Sequence, residues 1–181
     1  SGASNQPASD SFSYTLTAGG TATVTISITG LDNDHILFGT GGGDTLNGGT
    51  GIDSLHGLGG DDLLHVEHGE AVIEASGGGV DIVLASTSYT LNAGAHVETL
   101  STLDPAAMTA IDLTGNEMSQ RVVGNARQNT LNGGGGGDIL EGLGGDDFLL
   151  VESGDQVVEF SGGGSDNVLA RTSYTVQAGA H

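Results

Sequence analysis

One spacing governs what this chain can become: an acid or amide recurs every ninth residue behind a run of glycines. Asp44, Asp53 and Asp62 form one such series, and Asn129, Asp138 and Asp147 form another. The first reads GTGGGDTLN (39–47), GGTGIDSLH (48–56) and GLGGDDLLH (57–65). The second reads GNARQNTLN (124–132), GGGGGDILE (133–141) and GLGGDDFLL (142–150). Each unit is Gly-rich over five positions, acid or amide at the sixth and apolar at the eighth. Self-similarity at a fixed short period is the mark of a solenoid, in which each unit buries its apolar face only by stacking on its neighbours.

A longer period contains the short one. Residues 45–96 align without a gap with residues 130–181, at a shift of 85, and 36 of those 52 positions are identical. The chain therefore holds most of two copies of an 85-residue unit. Copy two stops where copy one continues into VETLSTLDP, so the chain reads as a piece of a longer protein. A flexible Gly/Asp linker keeps neither an apolar residue at every ninth position nor a gapless long repeat.

The unit has its own chemistry. Consecutive glycines turn tightly and leave their carbonyls free to converge. Carbonyls and an Asp carboxylate are hard oxygen ligands, which in a flexible loop suit Ca2+ better than the strictly octahedral Mg2+. The three residues after the acid, such as Thr45-Leu46-Asn47, are expected to form a short strand with the middle side chain pointing inward. Leu37, Leu46, Leu55, Leu64 and Val83 are expected to line one inner column, and Val122, Leu131, Leu140, Leu149 and Val168 another.

Composition says why metal is needed. Aromatics make up 4% of the chain and Trp is absent, so few large side chains are available to bury. Against 23 Asp and Glu stand Arg121, Arg127 and Arg171 and no Lys, a formal net charge of −20. Self-repulsion of that size opposes a compact state unless cations neutralise it. It also excludes nucleic acid and anionic membrane surfaces as expected partners. Without cysteine there is no disulfide framework and no thiolate metal site. No run approaches the roughly 18 apolar residues of a membrane span, so no membrane insertion is expected.

Outside the repeats, SFSYTLT (11–17) and TATVTISIT (21–29) alternate apolar with hydroxyl residues around Ala18-Gly19-Gly20, which predicts a β-hairpin. Residues 1–10 are expected to be a disordered tail. The segment 97–123 carries short apolar runs and a degenerate unit, TGNEMSQRVV (114–123), with Gln120 in the acid position. It is expected to be a less regular solenoid connector. The domain plan is thus a tail (1–10), a hairpin (11–29), a first block (30–96), a connector (97–123) and a second block (124–181). Asp61-Asp62 and Asp146-Asp147 recur in both copies, as structural ligands would and a unique catalytic pair would not. His56, His65 and His68 are expected on a solvated outer face, because position nine points outward and copy two has Glu141, Leu150 and Ser153 there.

The units at 39–65 and 133–150 resemble the haemolysin-type calcium-binding repeats, the glycine–aspartate nonapeptides of repeats-in-toxin (RTX) proteins. The resemblance covers about residues 30–181. It implies an all-β, right-handed parallel β-roll with two nonapeptides per turn and Ca2+ held between loops one turn apart. The ligands implied are Asp44, Asp53, Asp62, Asp81, Asn129, Asp138, Asp147 and Asp166, with the loop glycines Gly39, Gly41, Gly48, Gly57, Gly59, Gly133, Gly142 and Gly144. Asp44 would pair with Asp62, Asp62 with Asp81, Asn129 with Asp147 and Asp147 with Asp166. Asp53 and Asp138 fall on the opposite side, where Glu70 or Asp155 would substitute for the usual acid. The N-terminal hairpin followed by GLDND resembles the end of a bacterial cadherin-like adhesin repeat.

The expected function follows: a non-enzymatic calcium-binding module of a secreted or cell-surface protein, folding on several Ca2+ ions after export. The resemblance implies type I secretion from a Gram-negative bacterium. Two other roles fit the same features: the accessory domain of a secreted protease, lipase or epimerase, or a self-associating surface-layer or filament subunit.

Overall fold

The computed structural model of the chain describes residues 27–29 and 34–174. These residues form sixteen strands of two to four residues each and no helix. In chain order they are β1 (Ser27–Thr29), β2 (Ile36–Phe38), β3 (Thr45–Asn47), β4 (Ser54–His56), β5 (Leu63–Val66), β6 (Ala71–Ile73), β7 (Ile82–Ala85) and β8 (Tyr89–Thr90). There follow β9 (Thr99–Thr102), β10 (Leu113–Thr114), β11 (Arg121–Val123), β12 (Thr130–Asn132), β13 (Ile139–Glu141), β14 (Phe148–Val151), β15 (Gln156–Val158) and β16 (Asn167–Ala170).

Odd-numbered strands stack into one eight-stranded sheet, β1-β3-β5-β7-β9-β11-β13-β15. Even-numbered strands make the opposite face, as a three-stranded sheet β2-β4-β6 and a five-stranded sheet β8-β10-β12-β14-β16. Every pairing is parallel, and successive turns are offset by 18 residues where Thr45 meets Leu63 and by 19 where Leu63 meets Ile82. The chain is therefore an all-β parallel solenoid of about eight turns, each built from one strand per face.

Three-residue strands arise because glycine turns bound them on both sides. Gly60 takes φ +97°, and a Cβ there would run into the backbone of Gly42 and Gly43 one turn away. Gly145 repeats this at φ +108° against Arg127 and Gln128. Only glycine combines that φ with that approach. Between turns, the pleat sends the middle residue of each strand inward: Leu46, Leu55, Leu64, Leu131, Leu140 and Leu149 are all fully buried. Each such leucine is worth about 1.5–3 kcal/mol of apolar burial.

The inner columns differ from the expected grouping by copy. Leu46, Leu64, Val83, Leu100, Val122, Leu140 and Val157 form one, while Leu37, Leu55 and Val72 and then Leu113, Leu131, Leu149 and Val168 line the other face. Consecutive nonapeptides are half a turn apart, so neighbouring leucines must face each other across the core. Val168 is only partly buried, at the last described turn.

The second face breaks between β6 and β8 because side chains take over there. Asn92 Oδ1 accepts the Val72 N–H (3.0 Å), and the Tyr89 hydroxyl donates to the Glu70 carbonyl (3.0 Å). The stretch 97–123 carries β9, β10 and β11 within the same two faces, so it is solenoid, but its turns are irregular: Tyr89 pairs with Leu113 and Thr99 with Arg121, offsets of 24 and 22 residues. The tail and most of the hairpin expected over 11–29 lie outside the described residues. Ser27–Thr29 pairs in parallel with β3 as a solenoid rung.

Copy two does not sit directly above copy one. Residue 45 opens β3 on the eight-stranded face, and its counterpart, residue 130, opens β12 on the other. The unit spans nine strands, an odd number, so equivalent residues of the two copies lie on opposite faces.

Candidate metal centre

The sixth-position acids are placed by a repeated hydrogen bond. Each Asp Oδ1 accepts the backbone N–H of the sixth-position residue one turn earlier: Asp62 from Asp44 (2.8 Å), Asp81 from Asp62 (2.9 Å), Asp138 from Gln120 (2.7 Å), Asp147 from Asn129 (2.7 Å) and Asp166 from Asp147 (2.9 Å). On the opposite side of copy one, Asp53 Oδ1 accepts from His35 (2.6 Å). The anticipated pairings one turn apart are therefore all present as neighbours. The second carboxylate oxygen, Oδ2, of Asp53, Asp62, Asp81, Asp138, Asp147 and Asp166 makes no hydrogen bond within the protein. A buried charged oxygen left without a partner is costly, and here it recurs turn after turn.

In copy one these oxygens converge. One oxygen each from Asp62, Glu74 and Asp81 lies within 4.8 Å of the others, and all three residues are buried. Glu74 Oε1 accepts the Gly57 N–H (2.6 Å), and Glu74 Oε2 has no partner. A Cβ at Gly57 would strike both Glu74 Oε1 and Asp62 Oδ2, so glycine keeps the cradle open. Copy two repeats the arrangement: Glu159 Oε1 accepts the Gly142 N–H (3.2 Å), Oε2 is unpartnered, and Asp147 and Asp166 stand beside it.

Burial, first, and neighbouring carboxylates, second, push these groups toward the protonated form. Asp62 rises to about 6 and Glu74 to about 7, with Asp81 also raised. In copy two Asp138 and Asp147 rise to about 6 and Glu159 to about 7. Backbone N–H donors oppose the shift without cancelling it. Closely set carboxylates of raised pKa are groups that want a cation. An all-oxygen donor set without thiolate or imidazole matches a hard ion such as Ca2+.

On the opposite side, Glu70 and Asp155 stand one turn beyond Asp53 and Asp138. Asp138 N–H donates to Asp155 Oδ1 (3.0 Å), and Asp155 Oδ2 accepts the Glu152 N–H (2.6 Å). Glu70 accepts the Glu67 N–H at Oε2 (2.5 Å), leaves Oε1 unpartnered, and rises to about 7 through burial, with Asp53 close by. His35 Nδ1 lies 3.2 Å from Asp53 Oδ1. Asp44 is held by its own loop, its Oδ2 accepting the Thr40 N–H (2.5 Å) and hydroxyl (2.8 Å). Asn129 differs from the acids, for its amide is bonded within the protein.

The glycines divide in two. Gly39, Gly48, Gly57, Gly133 and Gly142 lie against the carboxylate of their own loop, where a side chain would collide. Gly41, Gly59 and Gly144 lie further along; Gly59 N–H donates to the Thr40 carbonyl and Gly144 N–H to the Asn125 carbonyl, each at 3.3 Å. Asp61 and Asp146 are exposed, and each Oδ1 accepts one N–H from the next turn, from Val80 (2.8 Å) and Ser165 (2.9 Å).

Glu74 and Glu159 were not anticipated as site residues. They occupy position nine of VEHGEAVIE (66–74) and VESGDQVVE (151–159), a position expected to face solvent. The rule fails again at Glu141, which is buried and bridged by Arg121. The available signal was that the Glu recurs in both copies before SGGG. His56 and His65 sit on opposite faces, on β4 and β5, and His56 stacks on exposed Phe38 with ring centroids 4.5 Å apart.

A parallel solenoid whose loops present unpartnered carboxylates at turn spacing is a repeat module that can hold cations between its turns. Residues 38–67 and 114–155 match the RTX calcium-binding nonapeptide repeat, four copies. The chain thus carries RTX repeats in two blocks and has the β-roll architecture such repeats imply. RTX repeats bind Ca2+ and are typical of secreted bacterial proteins. Neither the curated proteins nor the solved structures contain a match to the chain. Among the described residues no helix is long and apolar enough to cross a membrane.

Proposed function

We propose that this chain is a calcium-dependent structural module of a secreted or cell-surface bacterial protein, with no catalytic activity of its own. One observation carries the reading: buried carboxylate oxygens without a hydrogen-bond partner recur at turn spacing in both copies. Bound Ca2+ supplies the positive charge those oxygens lack. The chain's own residues do the rest. Glycine loops bring consecutive turns into contact, backbone N–H groups fix one oxygen of each Asp, and Glu74 and Glu159 add a further carboxylate.

Because the sites are assembled from several turns, the unfolded chain has none, and binding free energy becomes folding free energy. At low cytoplasmic calcium the −20 chain stays extended, a state suited to export through a narrow channel such as a type I secretion system. Extracellular modules bind calcium at about 10⁻⁴–10⁻³ M, so the chain folds once outside.

Circular dichroism during a Ca2+ titration tests this, with an Asp62→Ala/Asp147→Ala variant alongside. A coil-to-β transition that Mg2+ does not reproduce, with a higher midpoint in the variant, is expected. Full β-structure in excess chelator at neutral pH would overturn the proposal.

A further inference from the structure

The turns between the two acid-rich blocks close their loop gaps with different atoms. Gln120 and Asn129 hold the sixth position there, and both are buried. The Asn129 side-chain NH2 donates to the Ile111 carbonyl (2.9 Å) and to Asn125 Oδ1 (3.1 Å), while Asn129 Oδ1 accepts the Asn125 N–H (2.7 Å). Asn125, fully buried, hands its own NH2 to the Thr109 carbonyl (2.9 Å). On the other side of the solenoid the same relay recurs. Gln120 Nε2 donates to Asn116 Oδ1 (2.7 Å), Gln120 Oε1 accepts the Asn116 N–H (3.1 Å), and Asn116 Nδ2 donates to the carbonyls of Asn92 (2.9 Å) and Ala95 (2.8 Å).

The contrast with the acid turns is one of polarity. Asp138 accepts from the residue 18 positions earlier, the Gln120 N–H, whereas Asn129 donates to the residue 18 positions earlier, the Ile111 carbonyl. In the acid turns the sixth-position side chains bring only carboxylate oxygens to the gap between loops, and Oδ2 of Asp53, Asp62, Asp81, Asp138, Asp147 and Asp166 goes unpartnered. In the amide turns, NH2 hydrogens of partial positive charge meet the loop carbonyls. No side-chain polar atom of Asn116, Gln120, Asn125 or Asn129 is left without a partner. The adjoining rung also brings its own cation: the Arg121 guanidinium makes paired bonds to Glu141 (2.7 and 2.5 Å). Copy one has Ile36 and His56 at those two positions.

We propose that the amide pairs Asn116–Gln120 and Asn125–Asn129 close their turns without metal and so determine which turns take calcium: one block from Asp44 to Asp81, another from Asp138 to Asp166, and none between. This rests on the calcium reading above. It assigns Asn129 a role opposite to the ligand role its position in the repeat implies.

The test is a count of bound ions on the full chain at saturating Ca2+, by equilibrium dialysis and native mass spectrometry. Asn129→Ala is expected to keep the parent's ion count. Asn129→Asp replaces the NH2 with a second carboxylate oxygen facing the Ile111 carbonyl, and is expected to gain one ion. Loss of one ion in Asn129→Ala would overturn the proposal, as would an unchanged count in Asn129→Asp. If Asn129→Ala does not fold, the Asn129→Asp count decides alone. A parent chain that binds no calcium at all would sink the calcium reading instead.

Discussion

In metal-free buffer, lowering the pH from about 7.5 to about 5 is expected to increase the β-structure of this chain, the reverse of ordinary acid denaturation. The groups responsible are Asp62, Asp138 and Asp147, raised from 3.8 to about 6, and Glu70, Glu74 and Glu159, raised from 4.5 to about 7. Burial is the largest cause for each. Their folded-state pKa lies above the unfolded one, so between about pH 4 and 7 the folded chain holds more protons and stability falls as pH rises. A two-unit rise corresponds to about 3 kcal/mol for an isolated group, or about 1 kcal/mol once screening by water at the loop edges is allowed for. Asp62 helps raise Glu74 and Asp147 helps raise Glu159, so each pair counts once, and the six groups together give roughly 4 kcal/mol, a large part of a small domain's stability of about 5–15 kcal/mol. Far-UV circular dichroism of protein passed over a chelating resin, read across that range, is the assay. With saturating Ca2+ the sign should reverse, because protons then compete with the ion. Metal-free β-content that is flat or rises with pH would refute the reasoning.

Three other outcomes are expected. Glu74→Gln removes one of the three converging carboxylates and should weaken the tightest calcium step of copy one by about tenfold, read by calorimetric titration, since ligand charge sets affinity. Gly57→Ala forces a Cβ onto Glu74 and Asp62 and should abolish that step, whereas Gly41→Ala, with open space around it, should change stability by less than about 0.5 kcal/mol in Ca2+. Leu140→Ala opens a cavity at a fully buried position and should cost about 2–5 kcal/mol in urea unfolding at saturating Ca2+.

Much of this was legible because the chain is locally repetitive. The resemblance to the nonapeptide repeats implied the pairing of Asp44, Asp62 and Asp81, and the nine-residue period placed Leu46 and Leu64 on the inner face, since a register slip would expose every leucine. Position nine is misleading because alternation does not hold in every unit. After β6 the chain turns into the next loop, and Glu74 swings into the gap beside Gly57 rather than out to water. Asn129 sits in the acid register, and sequence spacing carries no sign of whether its oxygen or its NH2 faces the preceding loop. That depends on Ile111 offering a carbonyl, a fact of three-dimensional register.

The odd strand count of the 85-residue unit relates the two copies as a twofold screw axis would, half a revolution per unit. A flat partner resting on β4 of copy one has the matching β13 of copy two on the far side of the rod. Like patches come back into line only after two units, nine turns or about 43 Å along the axis at the usual strand spacing. A tandem array of such units therefore presents each motif alternately left and right, the geometry of a two-sided spacer rather than of a one-sided comb.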